Sequence, residues 1–141
     1  MKILIFDTET TGLPKSRTIN QDTLDKWPHI VQFSFIIFDT SANAIIKSCD
    51  FIIQMQDGQK IPPESIAFHG ITDAISQEKG VPLEQVLNAF FADLKTADLL
   101  VGHNVEFDIN MVKVEAMFNP FSPTVAGTSG RGSWPPGCCR K

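Results

Sequence analysis

The chain has 141 residues, 43% of them hydrophobic and 20% charged, the size and balance of one soluble globular domain. Its formal net charge of −4 argues against broad, nonspecific attraction to nucleic acid, because phosphate backbones are gripped mainly by Lys and Arg; a site that works through a bound cation stays open. The three cysteines, Cys49 and the adjacent Cys138 and Cys139, have no metal-ligand spacing and make no disulfide framework, and no apolar run reaches transmembrane length, so a cytoplasmic, reducing setting with no membrane contact is expected.

Lys2 to Phe6 reads as a short apolar strand running into Asp7, Thr8, Glu9, Thr10, Thr11, Gly12 and Leu13. Side chains alternate faces along a strand, so Asp7 and Glu9 point to the same side, about 7 Å apart. Two carboxylates held that close call for a cation. Their hard oxygens suit Mg²⁺ or Mn²⁺, ions that keep coordination positions for water and a substrate phosphate. Taken alone, an Asp-x-Glu favours the plainer reading, a polar turn after a core strand.

Pro14 to Pro28 is polar and turn-rich and reads as a loop at the mouth of this segment. Ile30 to Phe38 is a strand with apolar residues on both faces, and the turn Asp39 to Asn43 leads into a second strand, Ala44 to Ile53, making an antiparallel hairpin. Leu83, Val86, Leu87, Phe90, Phe91 and Leu94 fall at helical spacing, with Pro82 tolerated in the first turn, which predicts a helix lying on the sheet. Asp98 to Val101 is a further strand, and a helix is predicted over 104–118. Asn104 suits its N-cap, and Asp108, four positions on, shares its face and supplies a third carboxylate. Val105, Phe107, Ile109, Met111, Val112, Val114 and Phe118 are the apolar cover of a helix packed on a sheet.

Phe6 to Leu13 and Gly102 to Asp108 resemble the first two motifs of the DEDD-type 3′-to-5′ exonucleases, in particular the DEDDh branch related to the proofreading epsilon subunit of bacterial DNA polymerase III. Between them, Pro28 to Gln32 and Ile66 to Thr72 resemble further family segments in the same order, so the likeness covers residues 1–118. It implies an α/β, ribonuclease-H-like mixed sheet flanked by helices. It also implies two-metal hydrolysis, with two Mg²⁺ or Mn²⁺ ions, of the terminal phosphodiester at a free 3′ end of nucleic acid, single-stranded DNA foremost, releasing nucleoside 5′-monophosphates. On this resemblance Asp7 bridges the two ions, Glu9 holds one ion and the terminal 3′-hydroxyl, and Asp108 holds the second ion through water. Leu13 stands where a side chain wedges beside the terminal base, and Thr10, His69, Asn104 and Phe107 are the other substrate-binding positions. A DNA polymerase or replication complex is the implied partner.

The family's third motif, a His followed by an Asp on a later helix, has no counterpart, since residues 120–141 contain no Asp, Glu or His. A truncated domain over 1–118, lacking the last strand and helix, and an irregular tail over 119–141 are therefore expected. The tail's Pro and Gly disfavour a strand, and an open sheet edge invites self-association. His103 and His29 read as local hydrogen-bonding residues. Other readings are a non-catalytic metal- or nucleotide-binding fragment and a nonfunctional truncated product. An aspartyl-phosphate phosphatase also starts with a strand ending in Asp, but it needs a second Asp where this chain has Glu9, and it leaves 102–108 unexplained.

Overall fold

A computed structural model describes residues 1–119 and the short strand Cys138–Arg140. The first strand, β1 (Lys2–Thr10), alternates strictly: Leu4, Phe6 and Thr8 are buried, while Ile5 and Asp7 face out. It pairs antiparallel with β2 (Ile30–Asp39), which pairs antiparallel with β3 (Ala44–Ile52), the expected hairpin. The sheet order is β4-β1-β2-β3-β5, with β4 (Leu99–Val101) parallel to β1. A parallel neighbour requires a crossover. Here it is made by α1 (Pro63–His69), α2 (Asp73–Lys79) and α3 (Leu83–Leu94), and α4 (Val105–Phe118) follows β4.

Leu4 and Phe6 of β1, Phe33 and Phe35 of β2, and Cys49 and Phe51 of β3 share one face of the sheet by register. They form a single core with Val86, Leu87 and Phe90 of α3 and Met111, Val112 and Val114 of α4. Phe90 contacts the rings of Phe6, Phe33 and Phe35 at 5.0–5.6 Å between centroids, tilted or edge-on, the geometry aromatic rings prefer. Lys47 crosses this face to pair with Asp93 of α3, both buried. On the opposite face Ile5, Leu99 and Val101 remain exposed, and β4 is an edge strand among the described residues.

Two expectations change. The tail is not wholly irregular: Cys138–Arg140 forms β5, antiparallel to Lys47–Cys49. Three residues joining an existing strand edge gain ladder hydrogen bonds that composition does not foresee; residues 120–137 lie outside the described residues. Cys49 is also disulfide-bonded rather than a free thiol. No helix among the described residues is long and apolar enough to cross a membrane.

Candidate active site

The β1–β4 ladder ends at the pair Ile5 and Val101. The chain then turns sharply at Gly102, where a Cβ would stand 3.0 Å from the Phe6 carbonyl oxygen and 3.3 Å from Val105 Cγ2, so the close approach of the two strands' ends favours glycine. Asn104 takes the left-handed conformation, φ 53°, and begins α4 without a side-chain cap, contrary to the expected capping bond. One turn later Asp108 meets β1. Its Oδ1 accepts the Thr8 backbone N–H at 3.0 Å and the Thr8 hydroxyl at 2.6 Å. The α4 carboxylate thus takes over where the β4 backbone stops.

Asp108 is 2% exposed. Burial raises its carboxyl above the usual range, the negative charge of Asp7 raises it further, and the two Thr8 hydrogen bonds oppose the rise without cancelling it. Asp7 is exposed and Glu9 half-buried, on the face opposite to Thr8. Beside Glu9 the β1–β2 register shifts, Glu9 opposing Gln32 and Thr10 opposing Ile30. A bulge of this kind bends the strand and re-aims its side chains.

The loop after β1 is tied down on both sides. The Thr11 N–H donates to the His29 carbonyl at 2.9 Å, and the His29 N–H donates to the Thr11 hydroxyl at 2.9 Å. The Ser65 hydroxyl of α1 donates to the Thr11 carbonyl at 2.7 Å. Between this loop and α1 lies a cavity of about 500 Å³ lined by Glu9, Thr10, Gly12, Leu13, Glu64, Ser65, Phe68 and His69. His69 Nδ1 accepts the Ile71 N–H at 3.0 Å, which leaves the proton on Nε2, buried and without a hydrogen-bond partner. A larger cavity, about 870 Å³, is lined by residues such as Gln54, Gln77 and Glu115 and includes none of the acidic-motif residues, so size does not locate the chemistry.

The structure therefore gathers Glu9, Thr10, Leu13 and His69 around one cavity, with Asp7 beside Glu9 and Asp108 joined to Thr8. Asn104 is exposed and Phe107 packs partly against the main core; neither lines that cavity. His103 is exposed. His29 packs against Phe118, and its Nδ1 stands 3.3 Å from buried Glu115 without hydrogen-bond geometry. Thr8 and Phe68 lie in the quoted motifs but were given no role from sequence, and Ser65 was not singled out. The Gly70 that ends α1 at φ 73° is the one local signal that a helix precedes it.

The donors around Asp7 are hard oxygens, which fit a divalent ion in kind. Among the described residues, however, no three His, Cys, Asp or Glu side chains stand close enough to close a metal shell.

The sequence profile of the exonuclease family, RNase_T, matches residues 4–120. The chain belongs to that family. It is 27% identical over 113 residues to the DNA polymerase III subunit epsilon of Pasteurella multocida, a match that covers 79% of this chain and 40% of that protein. Its fold superposes on E. coli Exonuclease I in complex with a dA16 oligonucleotide at a TM-score of 0.64 and 23% identity, covering 86% of this chain and 25% of the other. Exonuclease I from Methylocaldum szegediense superposes at 0.65 and 21%, covering 87% and 25%. The chain thus spans less than half of the epsilon relative and a quarter of the Exonuclease I chains. The family is that of the exonucleases, and the mixed sheet flanked by helices has the ribonuclease-H-like fold seen in Exonuclease I.

Proposed function

We propose that this chain binds the free 3′ end of single-stranded DNA and hydrolyses its terminal phosphodiester. Water adds to the terminal phosphorus and the bond from phosphorus to the 3′ oxygen of the penultimate nucleotide breaks. A nucleoside 5′-monophosphate is released, and the shortened strand keeps a 3′-hydroxyl. The observation that carries this reading is that Glu9, Leu13 and His69 line one cavity, with Asp7 two positions before Glu9 on the same face of β1. Asp7 and Glu9 would hold Mg²⁺ or Mn²⁺, with Asp108 as third donor once its Thr8 bonds are exchanged. An ion held there would supply an acidified water and neutralise charge on the phosphate. Glu9 accepts the terminal 3′-hydroxyl, and the walls of the cavity orient the nucleotide.

The reading places the chain in the cytoplasm, with a DNA polymerase or replication complex as partner; a reducing cytoplasm would open the Cys49 disulfide. A 5′-labelled single-stranded oligonucleotide should shorten one nucleotide at a time while a circular strand stays intact. Internal cutting of the circle would contradict the proposal.

A second reading, 3′-end binding without turnover, is favoured by the open carboxylate shell: among the described residues no three His, Cys, Asp or Glu side chains stand close enough to hold an ion. Oligonucleotide binding with no shortening would select this reading.

A further inference from the structure

α4 carries two buried carboxylates two turns apart on one face, Asp108 and Glu115, both 2% exposed. Asp108 holds the Thr8 N–H of β1, and Glu115 Oε1 accepts the Ile30 N–H of β2 at 2.8 Å. Ile30 opens β2 at the place where the β1–β2 ladder slips: Glu9 opposes Gln32, Thr10 opposes Ile30, and Val31 has no opposite residue on β1. The alternation of β2 breaks there as well. Ile30 and Val31 are consecutive and both fully buried, Ile30 in the main core and Val31 in a second one with Met55, Ile61 and Ile71. Beyond the slip the two strands are tied again, the Thr11 N–H donating to the His29 carbonyl at 2.9 Å.

A bulge disrupts the ladder locally, and a buried backbone N–H beside it needs a partner from elsewhere. At Ile30 that partner is a side chain of α4. A buried carboxylate costs folding free energy that an apolar residue in its place would not, and Glu115 holds this one N–H, with His29 Nδ1 3.3 Å from the same oxygen. We propose that Glu115 is a positioning residue for the candidate metal site: by holding the Ile30 N–H it fixes the bulge, and with it the direction in which Glu9 points. The inference rests on the function proposed above and deepens it. One helix then sets two of the three donors, Asp108 from its first turn and Glu9 through β2 from its last.

Mn²⁺ binding, read from the electron paramagnetic resonance signal of the free ion, needs no turnover. It is measured for the wild type, Glu115→Met, Glu115→Asp and Glu115→Gln, each also in a Glu9→Gln background. Glu115→Met fills the space without an acceptor, Glu115→Asp draws the carboxylate back by one methylene, and Glu115→Gln keeps an oxygen within reach of the Ile30 N–H. Glu115→Met and Glu115→Asp should weaken Mn²⁺ binding about 10- to 100-fold, the usual effect of losing a group that orients a metal ligand, and Glu115→Gln should bind as the wild type does. In the Glu9→Gln background the same changes should cost little, because the side chain they misdirect is no longer a carboxylate; a role confined to holding the fold together would instead give the same loss in both. Glu115→Asp carries the test alone if Glu115→Met does not fold. An equal loss in both backgrounds, or wild-type affinity in folded Glu115→Asp, would overturn this inference and leave the proposed function standing. A wild type that binds no Mn²⁺ would overturn both.

Discussion

Asp108 of α4 and Thr8 of β1, a hundred residues apart in the chain, are joined by two hydrogen bonds to the same carboxylate oxygen, at 2.6 and 3.0 Å. The pair docks the start of α4 on β1 and keeps a buried acid next to Asp7. Burial, and then the charge of Asp7, hold the Asp108 carboxyl above the usual range, so on raising the pH the unfolded chain releases this proton first. The stability this group contributes is therefore full below the usual carboxylate range and is lost as the pH rises through it toward the raised value. Asn at this position keeps an oxygen for Thr8 without the charge. In EDTA, Asp108→Asn should melt higher than the wild type at neutral pH, with the gap closing on acidification. A gap that is absent, or that widens in acid, would contradict this account of Asp108.

The Lys47–Asp93 pair presents the opposite situation, two buried charges that neutralise each other, with the Lys47 ammonium also 5.7 Å from the centre of the Phe35 ring. Asp93→Ala leaves a buried ammonium without its carboxylate and should cost about 3–5 kcal/mol in urea unfolding. The double variant Lys47→Met, Asp93→Leu should recover most of that loss. A single variant as stable as the wild type would show that the pair is open to water.

Much of this architecture was legible because it follows from local periodicity. Alternation along β1, two-sided apolarity in β2 and the i, i+3, i+4 stripe of α3 each report which face is buried. α1 and α2 were not legible, since seven residues are too few to show a stripe. α2 is held instead by tertiary bonds: the Ser76 hydroxyl donates to the Ile53 carbonyl at 2.8 Å and accepts the Met55 N–H at 2.9 Å. At the site, the acids were visible as motifs, whereas the Thr8 anchor of Asp108 depends on where β4 ends. The Ser65 bond that ties α1 to the Thr11 carbonyl spans 54 residues and is equally invisible to local pattern. Composition predicted no strand in the tail because pairing with β3, rather than propensity, makes β5.

Asp7 is exposed and its charge reaches Asp108, so a divalent cation between these acids should stabilise the folded chain. At a hundred times its dissociation constant, such an ion adds about 2.7 kcal/mol. Mg²⁺ or Mn²⁺ should raise the unfolding temperature to a plateau for the wild type and leave Asp7→Asn unmoved, whereas NaCl at equal ionic strength should do neither. An equal rise in Asp7→Asn would place the ion elsewhere.

The most direct test follows mononucleotide release from a 3′-labelled single-stranded oligonucleotide, with Mg²⁺ or Mn²⁺ and with EDTA, for the wild type beside folded Asp7→Ala. The account predicts release that needs the metal and is abolished in Asp7→Ala. Release that persists in Asp7→Ala, or none from folded wild type, would contradict catalysis at the Asp7, Glu9 and Asp108 site.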